Sequence, residues 1–169
     1  MGSYQSEILA TGLIAVFCGI NPAASAERAG HNFSTPSNRF WTVLHLSGFT
    51  AERLRPQDER RLLDYNCGVT AVVRRSTRRA SEVSPQEFRR ARPEFEERMR
   101  RFVPRSLAFL GKRAYAAMMD VRDVPWGYQR RAIGGIATWS LPNPSGLNRG
   151  STLDALVAAY SEFRMSLDV

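Results

Sequence analysis

The chain has 169 residues, of which 43% are hydrophobic, and a formal net charge of +8. This length supports one domain with a complete core, and the apolar runs are too short for a membrane-spanning helix. Residues 1–5 lack the basic and apolar regions of a signal peptide, so we expect a cytoplasmic protein in which residues 1–169 form a single domain. Cys18 and Cys67 lie in strand-like runs and are expected to be buried, reduced thiols with no metal or disulfide role.

Arginine dominates the charge, because Lys112 is the single lysine among 24 basic residues. Guanidinium groups bind phosphate oxygens bidentately, so this composition favours polyanionic partners, although a biased genomic composition also produces arginines that only solvate a surface. The basic run at residues 74–79 follows a predicted strand end. The runs at residues 89–92 and 98–101 fall on a predicted helical stretch and are typical of a solvated face.

The first predicted strand covers residues 15–18, an apolar run too short for a helix and suited to burial on both faces of a parallel sheet. Gly19 and Pro22 end this strand, so Asn21 is expected just beyond its carboxyl end. Ligands of parallel α/β sheets bind at such ends, which makes Asn21 a candidate catalytic residue. An asparagine at this point also suits the cap of a turn or a helix.

The next predicted segment is a loop. Residues 24–37 are small and polar, with a helical turn indicated around residues 25–28, and the loop is expected to form one wall of the pocket. Asn38 is the expected cap of the following helix, which carries Phe40 and Leu44 at helical spacing and ends near Gly48.

A second helix is predicted from Pro56 to about residue 65, followed by a second strand at residues 67–73. Ser-Pro-Gln-Glu at residues 84–87 is a capping box with proline at the first helical position, so a helix begins there. Pro93 is expected to break that helix, with a further helical segment after it.

The remaining elements complete an α/β pattern. Residues 106–110 predict a buried strand that leads into an alanine-rich helix, and two segments separated by Gly134 and Gly135 predict a hairpin over residues 130–141. Ser151 is the expected cap of a final helix. Its side chains expected to face the core are Leu153, Leu156, Val157 and Tyr160. Strands that alternate with helices indicate an α/β domain with a mostly parallel central sheet.

Four motifs together identify a resemblance. They are Gly-Ile-Asn-Pro at residues 19–22, Gly-His-Asn-Phe at 30–33, Asn-Arg-Phe-Trp at 38–41, and Leu-Pro-Asn-Pro-Ser-Gly-Leu-Asn-Arg at 141–149. In this order and spacing they resemble the mismatch-specific uracil/thymine DNA glycosylase family, part of the uracil-DNA glycosylase superfamily. The resemblance covers roughly residues 8–163. It implies a three-layer α/β/α sandwich whose strand ends form a DNA-facing pocket for a base flipped out of the duplex.

The resemblance implies a role for each pocket residue. Asn21 would orient a water and read the base edge, and because an amide cannot accept a proton as a carboxylate does, catalysis should be slow. Phe33 would stack on the base, with its N–H and that of Ile20 bonding the pyrimidine edge, although a lone phenylalanine more often belongs to a core. His31 would touch the water or a phosphate, or simply satisfy a loop carbonyl.

The fourth motif is similar to the family's wedge, in which Leu147 would fill the space left by the flipped nucleotide. Backbone groups beside it would read the widowed guanine, and Arg149 would hold a phosphate. The implied DNA contacts are Ser145, Gly146, Leu147, Asn148 and Arg149. Asn143 stands where the fast uracil-specific branch carries histidine, so the chain resembles the slower, mismatch-directed branch.

The sequence departs from the family pattern at two positions of the expected base pocket. Ala23 stands where the family usually has glycine, and its methyl group would narrow the pocket. Ala71 stands where members commonly carry a polar residue near the base or the water, so that polar group is absent here. The reaction type is therefore better supported than the preferred substrate or the rate.

The leading hypothesis is a monomeric, monofunctional glycosylase that needs no cofactor. It would act on double-stranded DNA with G:U or G:T mismatches, remove uracil, thymine or 3,N4-ethenocytosine opposite guanine, and leave an abasic site. Lys112 at a strand-to-helix junction is not offered as a Schiff-base nucleophile, and two cysteines cannot ligate the iron–sulfur cluster of some superfamily branches.

Two rival hypotheses remain. One is a non-catalytic or very slow sensor of mismatched or abasic DNA, in which alanine at positions 23 and 71 has removed useful turnover. The other is a nucleotide-binding α/β enzyme unrelated to DNA. The second is weaker because the sequence has neither a Gly-x-x-x-x-Gly-Lys phosphate loop nor a Gly-x-Gly-x-x-Gly fingerprint.

Overall fold

The computed structural model describes residues 7–167, and the amino-terminal segment considered for a signal peptide lies outside the described residues. Within that range, five strands form one sheet: β1 (Ala15–Gly19), β2 (Cys67–Ala71), β3 (Ser106–Leu110), β4 (Gly127–Ile133) and β5 (Ile136–Leu141). The strand order is β2-β1-β3-β5-β4, and only β4 runs antiparallel to its neighbour. The predicted α/β class with a mostly parallel sheet is confirmed.

Helices cover both faces of the sheet. They are α1 (Ala24–Ala29), α2 (Phe40–Leu46), α3 (Pro85–Phe102), α4 (Arg113–Met119) and α5 (Leu153–Ser166), with 3₁₀ helices at Pro56–Tyr65 and Ala80–Glu82. Successive side chains of a strand point to opposite faces. In β1, Phe17 therefore packs in one core with Phe40 and Tyr160, while Val16 and Cys18 belong to a second core under α3 and α4. These two cores separate three layers, as the resemblance implied.

The helix α3 differs from its prediction in one respect. Ser84 caps it as expected, since its hydroxyl oxygen accepts a hydrogen bond of 3.2 Å from the N–H of Glu87. The predicted break at Pro93 is wrong, because α3 continues through this residue without interruption. Proline removes one N–H donor, whereas Phe88 and Phe95 are fully buried on either side of it, and their packing holds the helix together.

The final helix begins one residue later than predicted. Thr152, not Ser151, is the cap, and its hydroxyl oxygen accepts a hydrogen bond of 3.1 Å from Ala155 N–H. The inward orientation predicted for Leu153 is also wrong, because this side chain lies in the first turn and is exposed. The buried stripe of α5 consists of Leu156, Tyr160 and Phe163.

Three other elements differ from their predictions only in type or extent. The second predicted helix is a 3₁₀ helix, and β4 of the confirmed hairpin begins at Gly127 instead of residue 130. Strand β2 ends at Ala71, although Val72 and Val73 still donate backbone hydrogen bonds to Gly19 and Ile20. Within residues 7–167, no helix is both long enough and apolar enough to cross a bilayer.

The parallel strands β1, β2, β3 and β5 all end at the same edge of the sheet. Their last residues are Gly19, Ala71, Leu110 and Leu141. The loop with Asn21 and the loop at residues 142–149 both leave this edge, so the topology brings together segments far apart in sequence.

Candidate functional site

A cavity of about 360 Å³ opens at the carboxyl ends of the parallel strands. This volume lies in the range of small-molecule sites, about 300–1,000 Å³. Several of the site residues expected from the sequence line this cavity, namely Ile20, Asn21, Ala23, Phe33, Ala71, Asn143, Ser145 and Leu147. His31, Gly146, Asn148 and Arg149 are not among its lining residues. Lining residues to which the sequence gave no individual role include Asn32, Thr70 and Arg78.

The side-chain amide of Asn21 is held at two points. Its Nδ2 donates to the carbonyl oxygen of Arg75 at 2.9 Å and to the hydroxyl oxygen of Thr77 at 2.8 Å. Both amide hydrogens are therefore engaged by the segment that follows β2. The atom that Asn21 retains for a ligand in the cavity is its acceptor oxygen, Oδ1.

Thr77 determines which way this amide faces. Its hydroxyl donates a hydrogen bond of 2.7 Å to the carbonyl oxygen of Arg79, so the same oxygen can only accept from Asn21. The backbone of buried Thr77 is fixed as well, since its N–H donates to Pro22 O and its carbonyl accepts from Ala24 N–H at 2.9 Å. Thr77 is a functional residue that the sequence analysis missed, because it lies 56 positions from Asn21 in an arginine-rich segment.

The loop with Phe33 is tied down by a buried carboxylate. The N–H of Asn32 donates to Glu59 Oε2 at 2.7 Å, and burial raises the pKa of Glu59. Phe33 itself has a left-handed φ of 53°, and its ring stacks on Phe40 with a centroid distance of 3.9 Å. A non-glycine residue adopts this backbone conformation only when surrounding contacts hold it there. The ring that lines the cavity is thus fixed before any ligand binds.

Ala71 is the last residue of β2 and pairs with Gly19 of β1. Its methyl group lines the same cavity as Asn21 and offers no hydrogen bond. Its carbonyl oxygen accepts a 2.8 Å hydrogen bond from Nη2 of Arg98, a buried side chain that also pairs with Glu7. The wall beside Asn21 is therefore apolar on the cavity side and firmly bonded behind it.

Arg39 organises the loop at residues 142–149. Its half-buried guanidinium donates hydrogen bonds to the carbonyl oxygens of Ser151 at 2.6 Å, Asn148 at 2.9 Å, Ser145 at 3.1 Å and Pro144 at 3.4 Å. A planar guanidinium with five donors suits such a cluster of acceptors. Arg39, at the start of α2, thus connects this helix to both halves of the loop.

The tip of this loop presents an apolar side chain to solvent. Leu147 is 90% exposed. Gly146 packs against Ser37, where a Cβ atom would come within 2.5 Å of the serine side chain, so only glycine fits. The loop is closed by Asn148 Nδ2, which donates to Asn143 O at 2.9 Å. The loop thus holds an exposed leucine on a backbone that hydrogen bonds fix in place.

The basic run at residues 74–79 divides into two parts. Arg75 binds Glu87 through two hydrogen bonds of 2.7 and 2.9 Å, and Arg74 binds Glu94 at 2.9 Å, so both brace this segment against α3. Arg78 instead lines the cavity. The cationic charge next to the site therefore comes from the second half of the run.

The described residues that line the cavity supply amides, hydroxyls and arginines, but no carboxylate, histidine or lysine. Cys18 and Cys67 are free and buried, as predicted, and burial raises the pKa of both thiols, which keeps them protonated. Among residues 7–167, no group of His, Cys, Asp and Glu is arranged to hold a metal ion. The groups that the described lining offers to a ligand are thus amide, hydroxyl, guanidinium, backbone and aromatic groups.

A sequence model of the Uracil DNA glycosylase superfamily matches residues 10–164. This range contains all five strands and the four motifs described above. Members of the superfamily are DNA glycosylases, hydrolases that remove a base from its sugar in DNA repair. The chain therefore belongs to the uracil DNA glycosylase superfamily.

Proposed function

We propose that this protein is a monofunctional glycosylase that removes uracil mispaired with guanine and leaves an abasic site. The observation that carries the proposal is the fixed amide of Asn21. Both of its hydrogens are engaged, so Oδ1 is available to hold a water in a cavity whose described lining has no carboxylate. Such a site catalyses by placing the water, and not by removing its proton.

In the proposed reaction, the water on Asn21 adds to C1′ of the sugar as the N-glycosidic bond breaks. The base departs with the bonding electrons as an anion and takes up a proton, while the added water loses one to solvent. No amine lines the described part of the cavity, so hydrolysis without an imine intermediate is the consistent route.

The flipped base is proposed to lie against Phe33, whose ring is already fixed by Phe40. The backbone N–H groups of Ile20 and Phe33 would bond the pyrimidine edge. Both residues line the cavity, and so do Ala23, which limits its width, and Asn143. His31, which lies outside that lining, is proposed to contact the adjoining phosphate instead of the base.

Mismatch selectivity is proposed to reside in the loop at residues 142–149. Leu147 would enter the base stack as a wedge, because its 90% exposed side chain stands on a loop that Arg39 braces. Backbone groups of Ser145, Gly146 and Asn148 would read the widowed guanine, with Arg149 on a phosphate. Thymine and 3,N4-ethenocytosine opposite guanine are proposed as further substrates.

Ala71 favours a second candidate function, a sensor that binds mismatched or abasic DNA and turns over very slowly or not at all. Its methyl group contributes no hydrogen bond to base or water where it lines the cavity. Binding through Phe33 and Leu147 would remain in such a protein. The two functions differ only in whether the N-glycosidic bond breaks.

The deciding experiment uses the protein in excess over duplexes with one G:U, G:T or A:U pair, followed by heating in alkali. Strand breakage at G:U, with slower or no breakage at A:U, is the expected result. Retention of the G:U duplex in a gel shift without breakage would favour the sensor. Neither breakage nor retention would reject both functions.

A further inference from the structure

A second group of side chains, partly or largely exposed, lies beside the cavity. Lys112 follows Leu110, a cavity-lining residue, by two positions, and its Nζ lies 4.3 Å from the ring centroid of Trp126. Trp126 is 53% exposed. A cation held over the face of an exposed indole brings a positive charge and a stacking surface together.

The edge strand β4 extends this group. Tyr128 is 59% exposed, and Arg130 is exposed two positions further along, whereas Gln129 between them is buried. Arg130 lies further from the carboxyl end of β5, because β4 is antiparallel to β5 and its register shifts between Gln129 and Ile133. The Tyr128 ring packs edge-on against Trp139, with 6.1 Å between the ring centroids, and this contact holds the Tyr128 ring in place.

Trp126 and Tyr128 flank Gly127, which lies at the edge of the sheet that holds the cavity. Gly127 of β4 pairs with Ser140 of β5, whose hydroxyl donates to Gly111 O at 3.0 Å. Gly111 N–H in turn donates to Leu141 O at 2.6 Å, where the loop at residues 142–149 begins. The group therefore continues the candidate DNA surface towards β4.

We infer that Lys112, Trp126 and Tyr128, here named the β4 platform, bind an unpaired stretch of DNA next to the cavity. The inference rests on the proposed function, because that function makes DNA the partner. Aromatic faces can stack only on bases that are free of their duplex neighbours, while the ammonium group of Lys112 suits a phosphate of the same strand. The net charge of +8 matches such a polyanion.

The fluorescence of Trp126 provides a direct test. Of the three tryptophans, Trp41 and Trp139 are buried at 3% and 7% exposure, so quenching by a ligand that stacks reports on Trp126. The probe is an oligothymidylate of roughly ten nucleotides, whose labelled form also gives the affinity by anisotropy. We expect quenching on titration, about tenfold weaker binding by Trp126→Ala, and nearly full affinity for Trp126→Phe, which still stacks.

The role of the Lys112 cation is tested against a matched control. Lys112→Gln should weaken binding and lower the salt dependence of log K by about one. Arg101→Gln is the control. Arg101 also lies over an aromatic ring, with 5.6 Å between its Cζ and the ring centroid of Phe102, but at the opposite edge of the sheet. This substitution should therefore leave DNA binding unchanged. Equal affinity of Trp126→Ala and wild type, or equal quenching by polyglutamate, would overturn the inference.

Excision of a blunt G:U duplex by the same protein keeps the two proposals apart. Trp126→Ala should excise from that duplex at the wild-type rate, since a blunt duplex offers no unpaired base. Excision without platform binding would overturn the inference alone. Platform binding without excision would reject the glycosylase and leave the β4 platform supported.

Discussion

The proposed chemistry of this site depends on one amide, that of Asn21, whose orientation comes from distant residues. Asn21 is held by groups 54 and 56 positions further along the chain, and the hydroxyl of Thr77 must accept because it already donates to Arg79. Asn21 and Phe33 were predictable because they stand in local motifs at a strand end. Thr77 and Glu59 were not, since their importance comes from long-range hydrogen bonds that leave no local pattern.

Asn21→Ala should lower single-turnover excision of G:U by at least about 100-fold, because the water loses its acceptor in the transition state. Binding to abasic-site DNA should survive, since the wedge and the phosphate contacts remain. Excision assays and gel shifts measure the two effects separately. Unchanged excision would remove Asn21 from the mechanism, whereas loss of both activities with a lower melting temperature would make it a structural residue.

Ala71→Asn and Ala71→Asp should accelerate excision. The methyl group of Ala71 lines the cavity beside Asn21, so a longer polar side chain can reach base or water there. A hydrogen bond formed mainly in the transition state contributes roughly 1–3 kcal/mol, about one to two orders of magnitude in rate. Single-turnover excision of G:U measures the gain. No gain from either variant, with a normal melting temperature, would mean that Ala71 is only a small wall residue.

At the scale of elements, the loop at residues 142–149 works as a unit because Arg39 binds three of its carbonyl groups and the carbonyl group of Ser151 just after it. The loop itself was predictable from its prolines and glycine. The role of Arg39 was not predictable, because its position before α2 gives no sign of hydrogen-bond partners more than a hundred positions away.

Leu147→Ala should reduce excision from a G:U duplex far more than excision from single-stranded uracil. The side chain is proposed to fill the gap left by the flipped nucleotide, and a single strand has no such gap. The truncation should leave the melting temperature unchanged, since the side chain is 90% exposed. Equal losses on the two substrates would indicate general disruption of the loop.

The continuous helix α3 shows why its predicted break was wrong. The rule for proline considers the backbone alone, whereas Phe88 and Phe95 anchor the helix on both sides of Pro93 in the core under the sheet. The cap at Ser84 was predictable because it is a local hydrogen bond. Continuity through Pro93 depends on tertiary packing, which the local sequence does not encode.

Pro93→Ala should therefore stabilise the protein. The alanine N–H would restore a helical hydrogen bond at no cost in packing, since Pro93 is exposed. We expect a gain of about 1–3 kcal/mol, or a rise of roughly 2–4 °C in melting temperature for each kcal/mol. Calorimetry measures the shift. An unchanged or lower melting temperature would mean that the proline ring makes contacts that matter to the fold.

At the scale of the molecule, the class of fold followed from strands alternating with helices, but the strand order did not. The order β2-β1-β3-β5-β4 depends on which apolar faces pack together after the strands form. This order brings the strand ends of β1, β2 and β5 to one edge, whereas Arg89 and Arg90 are exposed on α3, which covers one face of the sheet. Composition alone gave the total charge and not this distribution.

The distribution predicts which arginines contribute to DNA binding. Arg78 lines the cavity and Arg149 follows the wedge loop, whereas exposed Arg89 and Arg90 lie on α3. Each phosphate contact that is lost should lower the slope of log K against log salt by about one. Arg78→Gln and Arg149→Gln should each show this change on a G:U duplex, while Arg89→Gln and Arg90→Gln keep the wild-type slope. All four variants remove one charge from a net +8, so a similar change in all of them would mean that DNA responds to total charge and not to this edge of the sheet.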